Sequence, residues 1–99
     1  MKTESRTQLV ILVYDVSNDR RRTRLHKLLK QYGVPVQESA FEARLEAAER
    51  KRLMTLVGKM IDCNEDRFTM YPIARDNEER IISIGAPRPD LPAQTFFIL

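Results

Sequence analysis

Leu9-Val10-Ile11-Leu12-Val13-Tyr14-Asp15-Val16-Ser17-Asn18-Asp19-Arg20-Arg21-Arg22-Thr23-Arg24 is the stretch whose reading decides the fold. Leu9 to Val13 is an unbroken apolar run, the pattern of a strand buried on both faces. It ends on Tyr14 and a carboxylate, Asp15. Ser17, Asn18 and Asp19 follow, all residue types that cap a helix N-terminus. Arginines then fill the first turns of that helix. A buried strand thus brings one acid to the surface beside dense positive charge, an arrangement suited to polyanions and metal ions.

Working outward, the spacing predicts a first helix over Asp19 to Tyr32. Leu25, Leu28, Leu29 and Tyr32 form its sheet-facing stripe. Gly33 reads as a natural C′ stop, the position where a left-handed glycine is common, and Pro35 prevents the helix from resuming. Val36 to Phe41 reads as extended. A second helix is expected over Leu45 to Ile61, with Leu53, Leu56, Val57, Met60 and Ile61 as its apolar stripe. After the polar turn Asp62 to Glu65, Arg67 to Ile73 alternates as a strand, with Phe68 and Met70 on one face. A charged turn at Asp76 to Glu79 leads to a further strand, Arg80 to Ile84, stopped by Gly85. Pro87, Pro89 and Pro92 mark an extended linker before an apolar strand, Thr95 to Leu99.

This order predicts an α+β, ferredoxin-like sandwich: an antiparallel sheet with two helices on one face and an extra C-terminal strand. Residues 1–8 read as a polar N-terminal extension, 9–85 as the ferredoxin-like domain, and 86–99 as a Pro-rich linker and strand. The fold requires a strand pair between the helices, where only Val36 to Leu45 is available. One member must be short, or the chain must kink near Gln37 to Ser39. Consecutive apolar residues at Phe96 to Leu99 would aggregate if left uncovered, so that strand is expected to pair with a partner subunit in a homodimer.

Ninety-nine residues make one domain with one core. The formal charge is only +3, but between residues 19 and 32 six basic side chains oppose Asp19 alone, so positive charge is concentrated in one helix. The single cysteine, Cys63, excludes an internal disulfide and a thiolate metal cluster and fits a reducing cytoplasm. No apolar run is long enough to span a membrane. With three glycines there is no Gly-rich loop of the kind a small-molecule-sensing regulator would use. Ser17 lacks a Ser/His/Asp context. His26 has no sequence neighbour that would position it as a base.

Two readings of Asp15 stay open on these residues alone: a strand-end turn or cap residue, or a metal ligand. Asp19 is a further candidate ligand, or serves the helix dipole. Arg20, Arg22, Arg24 and Lys27 are either a solvated face or phosphate contacts, and three consecutive arginines behind a cap favour the latter.

Tyr14-Asp15-Val16-Ser17-Asn18-Asp19, the Arg-rich helix, Tyr32-Gly33, Val36-Gln37, Ser39-Ala40-Phe41-Glu42, the stretch from Asp62 to Tyr71-Pro72, and Ile84-Gly85 together resemble the CRISPR-associated protein 2 family. One departure is Phe41-Glu42-Ala43, where the family commonly ends in glycine. The resemblance implies a homodimer acting in spacer acquisition with the CRISPR-associated protein 1 integrase, and a magnesium-dependent endonuclease on RNA or DNA. It maps the family's acid onto Asp15, its helix arginines onto Arg22 and Arg24, and its core phenylalanine onto Phe41, beside Tyr14 as a structural residue. The alternative is a non-catalytic DNA-binding scaffold bridging integrase subunits, with Asp15 structural.

Overall fold

A computed structural model describes residues 7–91. Its elements, in order, are β1 (Gln8–Asp15), α1 (Asp19–Leu29), β2 (Val34–Gln37), β3 (Ala40–Leu45), α2 (Ala47–Met60), β4 (Arg67–Pro72) and a 3₁₀ helix at Arg75–Arg80. The strands form one antiparallel sheet in the order β2-β3-β1-β4. This is the expected ferredoxin-like α+β sandwich, with the two buried members β1 and β3 at its centre. Register places Val10 opposite Ala43 and Leu12 opposite Phe41. Strand alternation therefore turns these residues to one face, where Leu25 and Leu29 of α1 and Leu53 and Val57 of α2 close the core.

The missing strand pair is a hairpin turning at Glu38 and Ser39, residues without the usual glycine or asparagine turn signal. Its first member, β2, is only four residues long and carries Pro35, which an edge strand tolerates because one side of its backbone needs no ladder bond. The single extended stretch expected from Val36 onward is thus two strands. Leu45 belongs to β3, opposite Gln8, so the second helix starts at Ala47 and not at Leu45. The Glu49 carboxylate accepts the Glu46 N–H at 2.7 Å, half of a capping box that sets this start.

Several other expectations are corrected. The first helix ends at Leu29, short of Tyr32, as its last carbonyls are taken by tighter i→i+3 bonds from Gln31 and Tyr32. Gly33 is not left-handed; among the described residues only Gly85 has that conformation (φ 105°). Gly33 is instead a close-approach glycine: a Cβ there would collide with the Glu42 carbonyl and lie 2.8 Å from the Ala43 Cβ. Leu56 is exposed, outside the apolar stripe of α2. Arg80 to Ile84 forms no strand in this chain. Ile73 N–H continues the β4–β1 ladder by donating to the Leu9 carbonyl (2.9 Å), and the segment beyond it crosses the face of the sheet away from the helices, where Arg44 grips Glu78 through both terminal nitrogens (2.9 and 3.1 Å) and Arg88 pairs with Glu42. Thr95 to Leu99, expected to pair with a partner, lies outside the described residues.

Candidate nucleic-acid interface

Asp15 closes β1 opposite Arg67 of β4 and is exposed. Tyr14, one residue earlier, is buried in the core beneath the helices. Alternation along the strand therefore sends Asp15 to the face opposite α1. The acid and the arginine helix, adjacent in sequence, serve different faces of the sheet. Among the described residues, no three His, Cys, Asp or Glu side chains gather into a metal cluster.

Asn18 is the N-cap of α1: its side-chain oxygen accepts the Arg21 N–H at 2.9 Å. The three consecutive arginines then diverge because each lies about 100° further round the helix. Arg21 turns inward to Asp66, whose side chain is fully buried, through a bidentate pair at 2.7 and 3.2 Å. Asp66 also accepts the Asp62 N–H at 2.8 Å. The Arg21 guanidinium, then the backbone donor, holds its carboxyl below the ordinary value. This pair locks the start of α1 to the turn before β4, and sequence reasoning missed it because the partners are 45 residues apart. Arg22 folds back to cap the Val16 and Ser17 carbonyls (3.1 and 3.2 Å) and to pair with Asp19. Arg20, Arg24, Lys27 and Lys30 remain exposed, without an ion-pair partner among the described residues. They run along the solvent side of α1 as a continuous cationic ribbon.

Beside this ribbon, α1 and the Glu38–Ser39 turn enclose a cleft of about 630 Å³, lined by Arg22, Lys27, Lys30 and His26 above Tyr14. The Tyr14 hydroxyl lies 3.1 Å from His26 Nδ1 and donates to the Glu38 carbonyl at 3.0 Å. Burial pushes the Tyr14 phenol above its ordinary pKa, partly offset by Arg22. Phe41, fully buried, holds the His26 ring edge-on at 5.1 Å and the Tyr14 ring at 6.4 Å. The sequence offered no signal for this grouping, since His26 meets its partners only through the tertiary fold.

A profile of the family described as CRISPR associated protein Cas2 matches residues 8–81. The chain is 35% identical over 88 residues to a CRISPR-associated endoribonuclease Cas2 1 of Synechocystis sp., covering 85% of this chain and 94% of that one. In three dimensions it is similar to the crystal structure of the hypothetical protein TT1823 from Thermus thermophilus, with a TM-score of 0.74 and 32% identity over 85% of this chain and 99% of the other. It is also similar to a chain of a partial Cas6-RT-Cas1–Cas2 complex, with a TM-score of 0.69 and 29% identity over 91% and 99%. Among the described residues, no helix is long and apolar enough to cross a membrane.

Proposed function

This chain is a member of the CRISPR-associated protein Cas2 family, and on that premise we propose that it acts in CRISPR spacer acquisition as a homodimer that binds nucleic-acid backbone, cleaves it with a magnesium ion, and works in the cytoplasm alongside the Cas1 integrase. The observation that carries the binding reading is the exposed ribbon of Arg20, Arg24 and Lys27 on α1, without an ion-pair partner among the described residues. Three cations on one helix face are suited to contact phosphates without reading bases.

One chain offers a metal a single carboxylate at the end of β1. Magnesium keeps several waters and accepts one or two carboxylates, so Asp15 and its copy across a two-fold axis fit that ion. When bound, the ion would supply charge neutralisation at a phosphate and an acidified water. The rest of the work falls to the chain: α1 holds and orients the backbone, and the exposed Asp15 accepts the metal. Dimerisation has its own support. Among the described residues, no strand pairs with the outer edge of β4; Tyr71 on it is exposed, and Ile82 and Ile84 are 86% and 97% exposed in a segment just beyond. A free edge and an unpaired apolar segment are complementary across a two-fold axis.

The placement of Asp15 on the face away from the ribbon favours one further reading, a non-catalytic scaffold that holds duplex phosphates while the integrase reacts. Cleavage of single-stranded RNA and duplex DNA, with and without magnesium, separates the two. Under the nuclease reading, Asp15→Asn loses metal-dependent cleavage while its thermal midpoint stays near that of the wild type. Equal activity in both highly purified proteins would remove Asp15 from the chemistry.

A further inference from the structure

The cleft between α1 and the Glu38–Ser39 turn points to a ribonucleotide site: we propose that it holds a phosphate and the neighbouring 2′-hydroxyl of single-stranded RNA. The assignment rests on the nucleic-acid-binding reading above and specifies where one nucleotide of a strand would sit.

Three observations carry it. The first is size. At about 630 Å³, the cleft falls within the range of roughly 300–1,000 Å³ typical of ligand sites. It has room for a nucleotide splayed out of a single strand.

The second is charge. Arg22, Lys27 and Lys30 line it against the one carboxylate of Glu38. Both lysines lack an ion-pair partner among the described residues, so they are available to phosphate oxygens.

The third is the direction of one hydrogen bond. The Tyr14 hydroxyl contacts the Glu38 carbonyl at 3.0 Å and His26 Nδ1 at 3.1 Å. A carbonyl only accepts, and a phenol has one hydrogen. Both contacts are satisfied only if Tyr14 donates to Glu38 and accepts from Nδ1–H. In the neutral imidazole this leaves Nε2 as an acceptor, and it has no partner among the described residues. Phe41, edge-on at 5.1 Å, keeps the ring from turning away. An acceptor nitrogen set among phosphate-binding cations matches a hydroxyl donor beside a phosphate. Ribose provides that pair, and deoxyribose lacks the hydroxyl. RNA in which the 2′-oxygen is methylated keeps the oxygen but loses the donor.

The test measures binding of one single-stranded sequence as RNA, 2′-O-methyl RNA and DNA, in buffer with a chelator so that no strand is cut. The wild-type protein should bind RNA about fivefold to tenfold more tightly than either of the others, the worth of one hydrogen bond. His26→Phe, which keeps an aromatic ring against Phe41, should erase that preference and leave DNA affinity unchanged. Lys30→Gln, an exposed substitution that spares the core, should weaken all three ligands alike and flatten their salt dependence. Equal wild-type affinity for RNA and its methylated form, or a preference that survives in His26→Phe, overturns the proposal. If Arg20→Gln with Arg24→Gln weakens binding while Lys30→Gln and His26→Phe change nothing, the cleft assignment falls and the wider binding reading stands. If the wild-type protein binds none of the three, both fall.

Discussion

At the scale of single residues, the chain spends its charged side chains in two ways. Arg21 and Asp66 are consumed by structure, whereas Arg20 and Arg24 are left for solvent or a partner. The buried pair has a consequence for acid stability. The Asp66 carboxyl titrates below its ordinary value in the folded state because Arg21, and then the Asp62 N–H, bind its charged form. Glu78 is lowered in the same direction by Arg44. A lowered folded-state pKa stabilises the fold above the unfolded value, about 4, and that stabilisation is lost as pH falls toward the folded value. The thermal midpoint should therefore drop on acidification from about pH 5 to pH 3. Asp66→Asn should be less stable at neutral pH and show a shallower acid dependence, both readable by calorimetry. Phe41 makes a different kind of contribution. It is fully buried between β1, β3 and His26, so Phe41→Ala should cost about 3–5 kcal/mol in urea unfolding, through lost burial and the cavity left behind.

At the scale of elements, the entry into β2 depends on a close approach and not on a turn conformation. Gly33 lies so near β3 that a methyl group would meet the Glu42 carbonyl and the Ala43 side chain. Gly33→Ala should destabilise by about 1–3 kcal/mol, the usual cost of overpacking. Adding Ala43→Gly should not restore the loss, because the main collision is with backbone. The same pairing explains why alanine is accepted at 43: the facing residue has no side chain. For α1, the angular spread of its basic residues sends Arg21 inward and Arg20, Arg24 and Lys27 outward. Arg20→Gln with Arg24→Gln should weaken nucleic-acid binding uniformly across sequences. It should also reduce the salt slope by about 0.7–0.9 unit per lost phosphate contact, depending on whether the ligand is single- or double-stranded.

At the scale of the whole molecule, the unfinished parts of this chain lie on one side of the sheet. Among the described residues, the outer edge of β4 has no strand beside it, and Ile82 and Ile84 stand in solvent. Under the homodimer proposal these are covered by the second copy. Ile82→Glu with Ile84→Glu should weaken the dimer in sedimentation without altering the monomer fold, because neither side chain packs within its own chain. Removing residues 95–99 tests the expected exchange of the terminal strand in the same measurement. An undiminished dimer would show that the terminal strand contributes nothing to the interface. A weakened dimer should also lose metal-dependent cleavage, since the paired carboxylates of Asp15 would separate.

The sequence by itself determined what local pattern controls. The apolar run of β1, the cap at Asn18, the stripe of Leu25 and Leu29, and the alternation of β4 each follow from periodicity within a few residues. The Cas2 family membership was legible in the same stretches. Tertiary structure decided what depends on pairing between distant residues. The hairpin at Glu38 and Ser39 is held by the register of β3 on β1 and not by turn chemistry, so no local signal marked it. The strand expected at Arg80 to Ile84 does not form, because after β4 the chain turns through the 3₁₀ helix at Arg75–Arg80 and leaves these residues unpaired beside the sheet. Three successive arginines look alike in sequence, but the helix turns Arg21 toward a buried aspartate, Arg22 back onto the Val16 and Ser17 carbonyls, and Arg20 outward. His26 becomes an oriented acceptor only because Tyr14, Glu38 and Phe41 converge on it, and a hydrogen bond between residues far apart in the chain leaves no trace in the spacing of either.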